Sequence, residues 1–198
     1  MIKIAIQKKG RLNELTVSYL KTKFNIDVPK EIGRELVINK NELEFIFLRD
    51  DDIPNLVNMK ICDYGIIGSD CLGEQDSKTT KNIQIIDKIN NGGCRLMIAG
   101  YADNNFSLKS LNGKKIATSF PKLLTEFLKN NNINAEVVIM NGSVECAIKI
   151  RYADYICDLV SSGKTLTENK LVPLYNVIDA YPVMIKNINS ARLEAICK

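Results

Sequence analysis

Short segments that are apolar, or that alternate apolar and polar residues, are followed along the chain by segments whose apolar residues recur at helical spacing. Residues 2–6 alternate in the manner of a strand, and Leu12, Leu15 and Tyr19 follow at helical spacing. Further strands are predicted at 44–48, 64–67, 115–118, 135–140 and 155–160, and further helices at 53–59, 121–128, 143–152 and 190–197. Because strands and helices alternate with short connections, the pattern predicts an α/β fold whose sheets are mainly parallel and flanked by helices.

A short segment in the first half of the chain is echoed in the second half. Residues 60–67 and 151–157 each contain a predicted helix end, an aspartate (Asp63 or Asp154) and a buried strand. This favours two similar lobes, although two unrelated βαβ units can look alike to the same degree. We expect residues 1–95 with 180–198 to form the first lobe and residues 96–179 the second.

Composition and charge exclude several classes of protein. The 198 residues are 45% hydrophobic and 25% charged, which is ordinary for a globular protein and unlike disordered or fibrous chains. The net charge of +4 comes without a long Lys/Arg run, which gives no support to binding of nucleic acid or anionic membranes. No secretion leader and no membrane-length apolar run is present, so a cytoplasmic location is predicted.

Histidine is absent, which limits the chemistry available to the chain. Triads and metal sites built on imidazole are excluded, as is the usual general base near neutral pH. The six cysteines form no CxxC pair, so zinc spacing is also missing and reduced core cysteines are expected. Catalysis would have to come from carboxylates, cations, hydroxyls, backbone amides or the substrates themselves.

The segment 158–166 is the most informative for chemistry. A buried strand leads through Asp158 into small hydroxylated residues around Gly163. A P-loop would need glycine where Asp158 stands, so an ATPase cradle is disfavoured. A carboxylate that accepts ribose hydroxyls, followed by a loop whose N–H groups hold a phosphate, suits a sugar phosphate. A solvated turn that closes a βα unit explains the segment equally well.

Three other segments could meet anions or metals. Residues 8–12 place cations around Gly10 at a predicted helix start, where an anionic ligand is favoured. Residues 141–145 follow a strand and open a predicted helix whose free N–H groups could meet a ligand, although Ser143 as an ordinary helix cap explains the segment equally well. Asp50, Asp51 and Asp52 could suggest magnesium, although a plain helix start is the better interpretation. Arginines beside predicted strands could converge on the same anion, or could be ordinary surface residues: Arg34, Arg49 and Arg95.

Residues 142–145 and 153–166, continued by Asn169 and Leu171, form a long motif that resembles the signature of the ATP phosphoribosyltransferase family. Similar residues occur over almost the whole chain. They include residues 9–12, Arg34, Arg49, 52–54, 63–68, 94–96 and 117–121. Departures from the family pattern occur at Gln7, Lys8, Ile148, Arg151, Tyr152 and Ser162.

The resemblance implies two lobes like those of type II periplasmic binding proteins, an ATP side on the first and a phosphoribosyl pyrophosphate (PRPP) side on the second. The residues implied for PRPP are Asp154, Asp158, Ser161, Ser162, Gly163, Lys164 and Thr165. Those implied for ATP or pyrophosphate are Lys9, Gly10, Arg11, Arg34, Arg49, Arg95, Gly142, Ser143 and Glu145. Arg11, Arg34 and Asp158 are the expected catalytic residues, and Mg²⁺ is expected with PRPP near Asp154 and Asp158.

The implied activity joins ATP to PRPP at the first step of histidine biosynthesis. The chain length is similar to that of short-form family members, which work with a separate regulatory subunit resembling histidyl-tRNA synthetase, so a hetero-oligomer is expected. The alternative is a non-catalytic module on the same fold that binds or senses a solute, since a fold does not determine function.

Overall fold

The computed structural model describes residues 1–29, 33–90, 92–103, 105–191 and 193. The strands are β1 (Ile2–Gln7), β2 (Val37–Lys40), β3 (Leu43–Leu48), β4 (Tyr64–Gly68), β5 (Ile83–Lys88), β6 (Cys94–Gly100), β7 (Lys115–Thr118), β8 (Glu136–Ile139), β9 (Tyr155–Val160), β10 (Val172–Ala180) and β11 (Pro182–Asn187). The α-helices are α1 (Arg11–Phe24), α2 (Ile53–Asn58), α3 (Ser69–Glu74), α4 (Ser77–Thr80), α5 (Pro121–Asn130), α6 (Cys146–Lys149) and α7 (Lys164–Glu168), with 3₁₀ turns at Asp50–Asp52 and Leu108–Leu111. The helix predicted at 190–197 lies almost entirely outside the described residues.

The chain divides into two compact units, Met1–Gly92 with Tyr181–Lys198, and Gly93–Ala180. The first unit contains a six-stranded sheet in the order β2-β3-β1-β4-β11-β5. Alternate side chains of β1 reach opposite faces: Ile4 packs in a cluster that includes Leu20 of α1, and Ala5 packs with Ile53 of α2. Because β1 runs parallel to both β3 and β4, the carboxyl ends of these three strands meet at one edge of the sheet.

The second unit contains a five-stranded sheet in the order β10-β6-β9-β7-β8. Ile156 on β9 packs in one cluster together with Leu166 of α7, and its neighbour Cys157 packs in another together with Leu124 of α5. Strands β8 and β9 both run parallel to β7, so their carboxyl ends meet at one edge. The segment 158–166 and the turn after β8 both begin at this edge.

The α/β class is confirmed, but both sheets are mixed and not mainly parallel. Every parallel pair joins two strands that the hydrophobic pattern predicted: β1 with β3 and β4, and β7 with β8 and β9. Every antiparallel pair includes a strand that the pattern missed, namely β2, β5, β6, β10 or β11. The missed strands β2 and β5 expose most of their side chains, so they lack the apolar run that marks a buried strand.

Candidate active site

The chain turns sharply after β9 and passes through residues 161–163 into helix α7. Gly163 has φ 75° and ψ 0°, a left-handed conformation that other residues adopt at a cost. Its carbonyl oxygen accepts the first bond of the helix, from the N–H of Thr167 at 3.0 Å. A cavity of about 140 Å³ opens here, lined by Glu145 and by residues 158–166. The loop thus brings backbone amides, hydroxyls and Lys164 around one small cavity.

Asp158 is the carboxylate at the inner side of this cavity. Burial raises its pKa above the ordinary value, and the nearby negative charge of Glu145 raises it further. A hydrogen bond from the N–H of Leu159 to Asp158 Oδ1, 2.8 Å long, opposes the shift. Two carboxylates that face the same cavity repel each other, so this arrangement favours a ligand that brings hydroxyl donors or a cation.

The structure does not bring Asp154 to this cavity. Asp154 precedes β9, at the opposite end of the strand from the loop, where its Oδ2 accepts a 2.9 Å hydrogen bond from the N–H of Lys115. The N–H of Asp154 donates in return to the carbonyl of Lys115, also at 2.9 Å, and Lys114 lies 3.6 Å from Oδ1. These contacts tie the start of β9 to the start of β7, which is a structural role.

The turn after β8 differs from its sequence-based expectation. Gly142 has φ 137° and Ser143 has φ 49°, and neither conformation is helical, so the helix predicted from Ser143 begins only at Cys146. The side chain of Ser143 does not cap it. Of the three residues predicted here, only Glu145 lines the cavity beside Asp158, while Gly142 and Ser143 are exposed.

A second cavity, of about 870 Å³, lies in the first unit at the carboxyl ends of β1 and β3. These strands are parallel and pair Gln7 with Leu48, so the residues that follow each strand meet. The cationic lining residues are Lys8, Lys9, Arg11 and Arg49, and Gly10 lies among them with φ 98°. The amino end of α1, with its partial positive charge, faces the same cavity, so this wall is suited to a polyphosphate.

The larger cavity also has acidic lining residues. Asp50, Asp51 and Asp52 line it, together with Gln7, which the sequence analysis did not assign to the site. Burial raises the pKa of Asp50, a hydrogen bond from Gln7 lowers it, and the charges of Asp51 and Asp70 raise it. The sequence signals for Gln7 were its position at the end of a predicted strand and its departure from the family pattern.

Arg34 and Arg95 are not among the residues that line the two cavities described above. Arg34 is exposed and does not line either cavity described above. Arg95 belongs to β6 of the second unit, where it pairs with Val160 at the carboxyl end of β9. The sequence analysis expected Arg95 at the end of the first lobe, whereas the division between the units falls between Gly92 and Gly93.

Metal and membrane features were also sought among the described residues. In that part of the chain, no three His, Cys, Asp or Glu side chains come together as a metal site. None of the helices within the described ranges is both long and apolar enough to span a bilayer.

Comparison with known proteins decides the family. A match to ATP phosphoribosyltransferase (HisG) covers residues 49–198. The chain belongs to the ATP phosphoribosyltransferase family. Relatives of that name are 36% identical in Maricaulis maris, 39% identical in Bacteroides thetaiotaomicron and 37% identical in Xylella fastidiosa. These alignments cover 93%, 96% and 92% of this chain but 64%, 66% and 62% of the relatives, so the chain spans slightly less than two thirds of their length.

Solved structures support the family and the fold. The ATP phosphoribosyl transferase (HisG:HisZ) complex from Thermotoga maritima contains a chain with a TM-score of 0.77 and 26% identity, covering 94% of this chain and 88% of that one. The periplasmic VFT2 domain of Bordetella pertussis BvgS has a TM-score of 0.64 at 12% identity, covering 99% of this chain and 83% of that one. An amino acid ABC transporter substrate-binding protein has a TM-score of 0.61 at 14% identity, with coverage of 99% and 89%. The last two show the fold alone, and they confirm the expected likeness to periplasmic binding proteins.

Proposed function

We propose that this chain is the catalytic chain of an ATP phosphoribosyltransferase, which condenses ATP with PRPP to give phosphoribosyl-ATP and pyrophosphate in histidine biosynthesis. The observation that carries the proposal is the cavity after β9. Its lining residues, 158–166 with Glu145, belong to the motif that resembles the family signature, and they lie within the matched residues 49–198. A cytoplasmic location stays a prediction.

PRPP is the substrate proposed for the cavity of the second unit. Asp158 would accept the ribose hydroxyls, since its partly buried carboxylate lines the cavity. The hydroxyls and backbone N–H groups of residues 161–165 would hold the 5′-phosphate, and Gly163 allows the backbone to approach it closely. Asp154, predicted for PRPP, and Gly142 and Ser143, predicted for ATP or pyrophosphate, are not included in the proposed site because they do not line this cavity.

Mg²⁺ is the metal proposed to accompany PRPP. Asp158 and Glu145 fit this ion, because magnesium is commonly held by one or two carboxylates and substrate phosphates without a protein cage. Burial is the main cause of the raised pKa of Asp158, and the negative charge of Glu145, which raises that pKa further, also favours a cation near the two carboxylates. Bound with PRPP, the ion would supply charge neutralisation for the leaving pyrophosphate.

ATP is the substrate proposed for the larger cavity of the first unit. Lys9, Arg11 and Arg49, with the amino end of α1, would hold the polyphosphate by charge and backbone donors. Gly10 lets the backbone turn into α1 at this point. Arg34 and Arg95 do not line this cavity, and their contact with ATP or pyrophosphate stays a prediction.

The reaction needs no strong protein base, in agreement with the absence of histidine. The lone pair of adenine N1 forms the new bond to C1 of the ribose. The bond from C1 to the pyrophosphate oxygen breaks, and its electron pair leaves with pyrophosphate. The protein therefore contributes by holding two anionic substrates in line and by neutralising the leaving group, and one preorganised donor of this kind is typically worth about 3–4 kcal/mol.

The partner proposed for this chain is a separate regulatory subunit that resembles histidyl-tRNA synthetase. The Thermotoga maritima chain described above, which this chain covers to 88%, comes from a HisG:HisZ complex. We expect the chain alone to be insensitive to histidine and poorly active. Full activity and inhibition by histidine should both appear when the partner is added. Assays of the isolated chain and of the mixture, with and without histidine, test this assignment, and strong histidine inhibition of the lone chain would contradict it.

The experiment that tests the substrates is calorimetric titration of the isolated chain with PRPP and with ATP in the presence of Mg²⁺. Binding of PRPP that is lost in Asp158→Asn supports the proposal. A chain that binds neither substrate, but binds an amino acid instead, would favour the alternative of a solute-binding module.

A further inference from the structure

Some asparagines of the chain are followed directly by glycine, a pair that is prone to spontaneous deamidation because glycine has no Cβ to hinder attack on the preceding side chain. These pairs are Asn91–Gly92, Asn112–Gly113 and Asn141–Gly142. Asn91 lies outside the described residues, whereas the other two pairs can be compared. Both of these pairs are exposed, and both belong to the second unit. Access of water therefore does not distinguish them.

Deamidation begins with attack of the glycine nitrogen on the asparagine side chain. The nitrogen forms a bond to Cγ, the bond from Cγ to Nδ2 breaks, and ammonia leaves with the proton that the backbone nitrogen gives up. Water then opens the resulting succinimide ring at either carbonyl, which gives aspartate or isoaspartate. The reaction requires a backbone N–H that is free to lose its proton and a side-chain amide that is free to turn toward it.

Hydrogen bonds hold every group that would react at Asn112. The N–H of Gly113, whose nitrogen would attack, donates to the carbonyl of Asn134 at 2.7 Å. Asn112 Nδ2 donates to the carbonyl of Lys109 at 3.1 Å, and Asn112 Oδ1 accepts from the N–H of Asn134 at 2.8 Å. The partners are all backbone groups, so this pair is protected by the fold of the chain around it.

The pair Asn141–Gly142 lacks this protection. Neither the side-chain amide of Asn141 nor the N–H of Gly142 makes a hydrogen bond with any residue that the structure describes. The two residues lie in the turn between β8 and α6 and belong to no helix or strand. Both the nitrogen that would attack and the amide that would be attacked are therefore free to meet.

The same turn positions a residue of the smaller cavity. Before it, Met140 is fixed because its N–H donates to the carbonyl of Thr118 at 2.9 Å. After it, Val144 is buried, and the next residue, Glu145, lines the cavity together with Asp158. Deamidation within the turn would add a negative charge, and its isoaspartate product would also lengthen the main chain between these fixed points. Both changes would act on the placement and the surroundings of Glu145.

We propose that Asn141–Gly142 is a site of spontaneous deamidation in the folded protein, and that its conversion weakens the binding of PRPP. The modification itself does not depend on what the chain binds. Its effect on PRPP rests on the proposed function, in which that substrate occupies the cavity lined by Glu145 and Asp158. The new carboxylate makes the segment that carries Glu145 more negative, which disfavours an anionic substrate.

The test is incubation of the intact chain at mildly alkaline pH in water enriched in oxygen-18, followed by digestion in ordinary water and peptide mass spectrometry. Opening of the succinimide leaves heavy oxygen in the product. We expect label at Asn141 to accumulate at least about tenfold faster than at Asn112, because the hydrogen bonds that hold Asn112 must first break. In the urea-unfolded chain both sites should be labelled at similar rates. That comparison separates the effect of the fold from the effect of the sequence.

Calorimetric titration with PRPP and Mg²⁺ compares fresh with incubated protein. We expect the affinity for PRPP to fall by about threefold or more on conversion, since even an exposed charge is worth up to this factor and the longer main chain adds to it. Asn141→Gln should keep its affinity through the same incubation, because glutamine cyclises more slowly through a larger ring. Asn112→Gln is the matched control and should lose affinity as the unmodified chain does.

Two results would overturn the inference. Label that accumulates at Asn112 as fast as at Asn141 in the folded chain would show that hydrogen bonding does not select between the pairs. Equal PRPP affinity of fresh and fully converted protein would show that the turn does not influence the cavity. A chain that is labelled at Asn141 but binds no PRPP even when fresh would refute the proposed function and leave the modification site standing.

Discussion

Asp154 and Lys115 are joined by two hydrogen bonds, one donated by the backbone N–H of each residue. The first unit repeats this arrangement with Asp63 and Lys3, where both bonds are again 2.9 Å long. In each unit the aspartate stands directly before a central strand and ties it to the start of the adjacent parallel strand. The echo seen in the sequence is thus a shared way of aligning two strands.

Replacing Asp154 should therefore affect stability and not PRPP binding. Asp154→Ala is expected to lower the free energy of unfolding by about 1 kcal/mol, because the N–H of Lys115 loses a charged acceptor at a partly exposed site. Asp154→Asn, which keeps an acceptor oxygen, should be milder. Denaturant unfolding and PRPP titration measure the two effects. A tenfold loss of PRPP affinity in Asp154→Asn would return Asp154 to the ligand site.

Substitution of Gly163 should weaken PRPP binding beyond its cost to the fold. A Cβ at Gly163 would meet only Val160 Cγ1 at 4.0 Å, so Gly163→Ala is strained by its φ of 75° and not by a clash. We expect a loss of about 1 kcal/mol in stability and a clear fall in PRPP affinity, larger still in Gly163→Val.

Gly113→Ala is the control for that experiment. Gly113 lies in the same unit with φ 71°, and a Cβ there has no neighbour within 4 Å. It should cost similar stability while PRPP affinity stays unchanged. Equal PRPP affinity in Gly163→Val and the unmodified chain would show that the loop does not hold the 5′-phosphate.

Asp158→Asn should bind PRPP at least about tenfold more weakly, because a charged acceptor for the ribose hydroxyls is lost. The same change should stabilise the protein near neutral pH. The folded-state pKa of Asp158 is raised above 3.8, so the unmodified chain loses stability as pH rises through that raised pKa. The variant does not titrate there, and its relative gain should grow as the pH rises from 3.8 through the raised pKa.

Chemical denaturation of both proteins across this pH range measures the gain. A relative stability that does not change with pH would contradict the burial argument for Asp158. Equal loss of PRPP and ATP binding in the variant would indicate general damage, since only PRPP is placed beside this carboxylate.

Arg11→Ala and Arg49→Ala should lower kcat more than they raise KM. The family resemblance implies that these arginines meet ATP or the departing pyrophosphate, whose charge grows toward the transition state, and interactions made only there appear in kcat. Arg34→Ala should have a smaller effect, because Arg34 does not line the cavity that holds Arg11 and Arg49. Steady-state kinetics with the partner present provide the comparison. A larger loss of kcat in Arg34→Ala than in Arg11→Ala would reverse this order.

The hydrophobic pattern was sufficient for the buried parallel strands and insufficient for the exposed edge strands. β1 and β9 stand out because their apolar runs are buried on both faces, whereas β5 leaves Ile85 and Ile86 exposed at an edge. Antiparallel pairing depends on which distant strands meet, for example β11 beside β4, and periodicity does not carry that information.

The part of the candidate site that was predictable from the sequence consists of neighbouring residues in one loop at the carboxyl end of a single strand. The loop after Asp158 is such a case. Asp154 was misplaced because four residues of an extended strand span roughly 13 Å, so a neighbour in sequence lies at the other end of the sheet. Gln7 was not assigned to the site because its place beside residues 49–52 depends on the pairing of β1 with β3, which only the folded arrangement reveals.

The measurement that tests the central claim most directly is product formation from ATP, PRPP and Mg²⁺ by this chain together with its synthetase-like partner. Mass spectrometry should detect phosphoribosyl-ATP in step with released pyrophosphate, and both should fall strongly when the chain carries Asp158→Asn. The assignment as an ATP phosphoribosyltransferase would be contradicted if neither pyrophosphate nor phosphoribosyl-ATP forms although both substrates bind and the complex assembles.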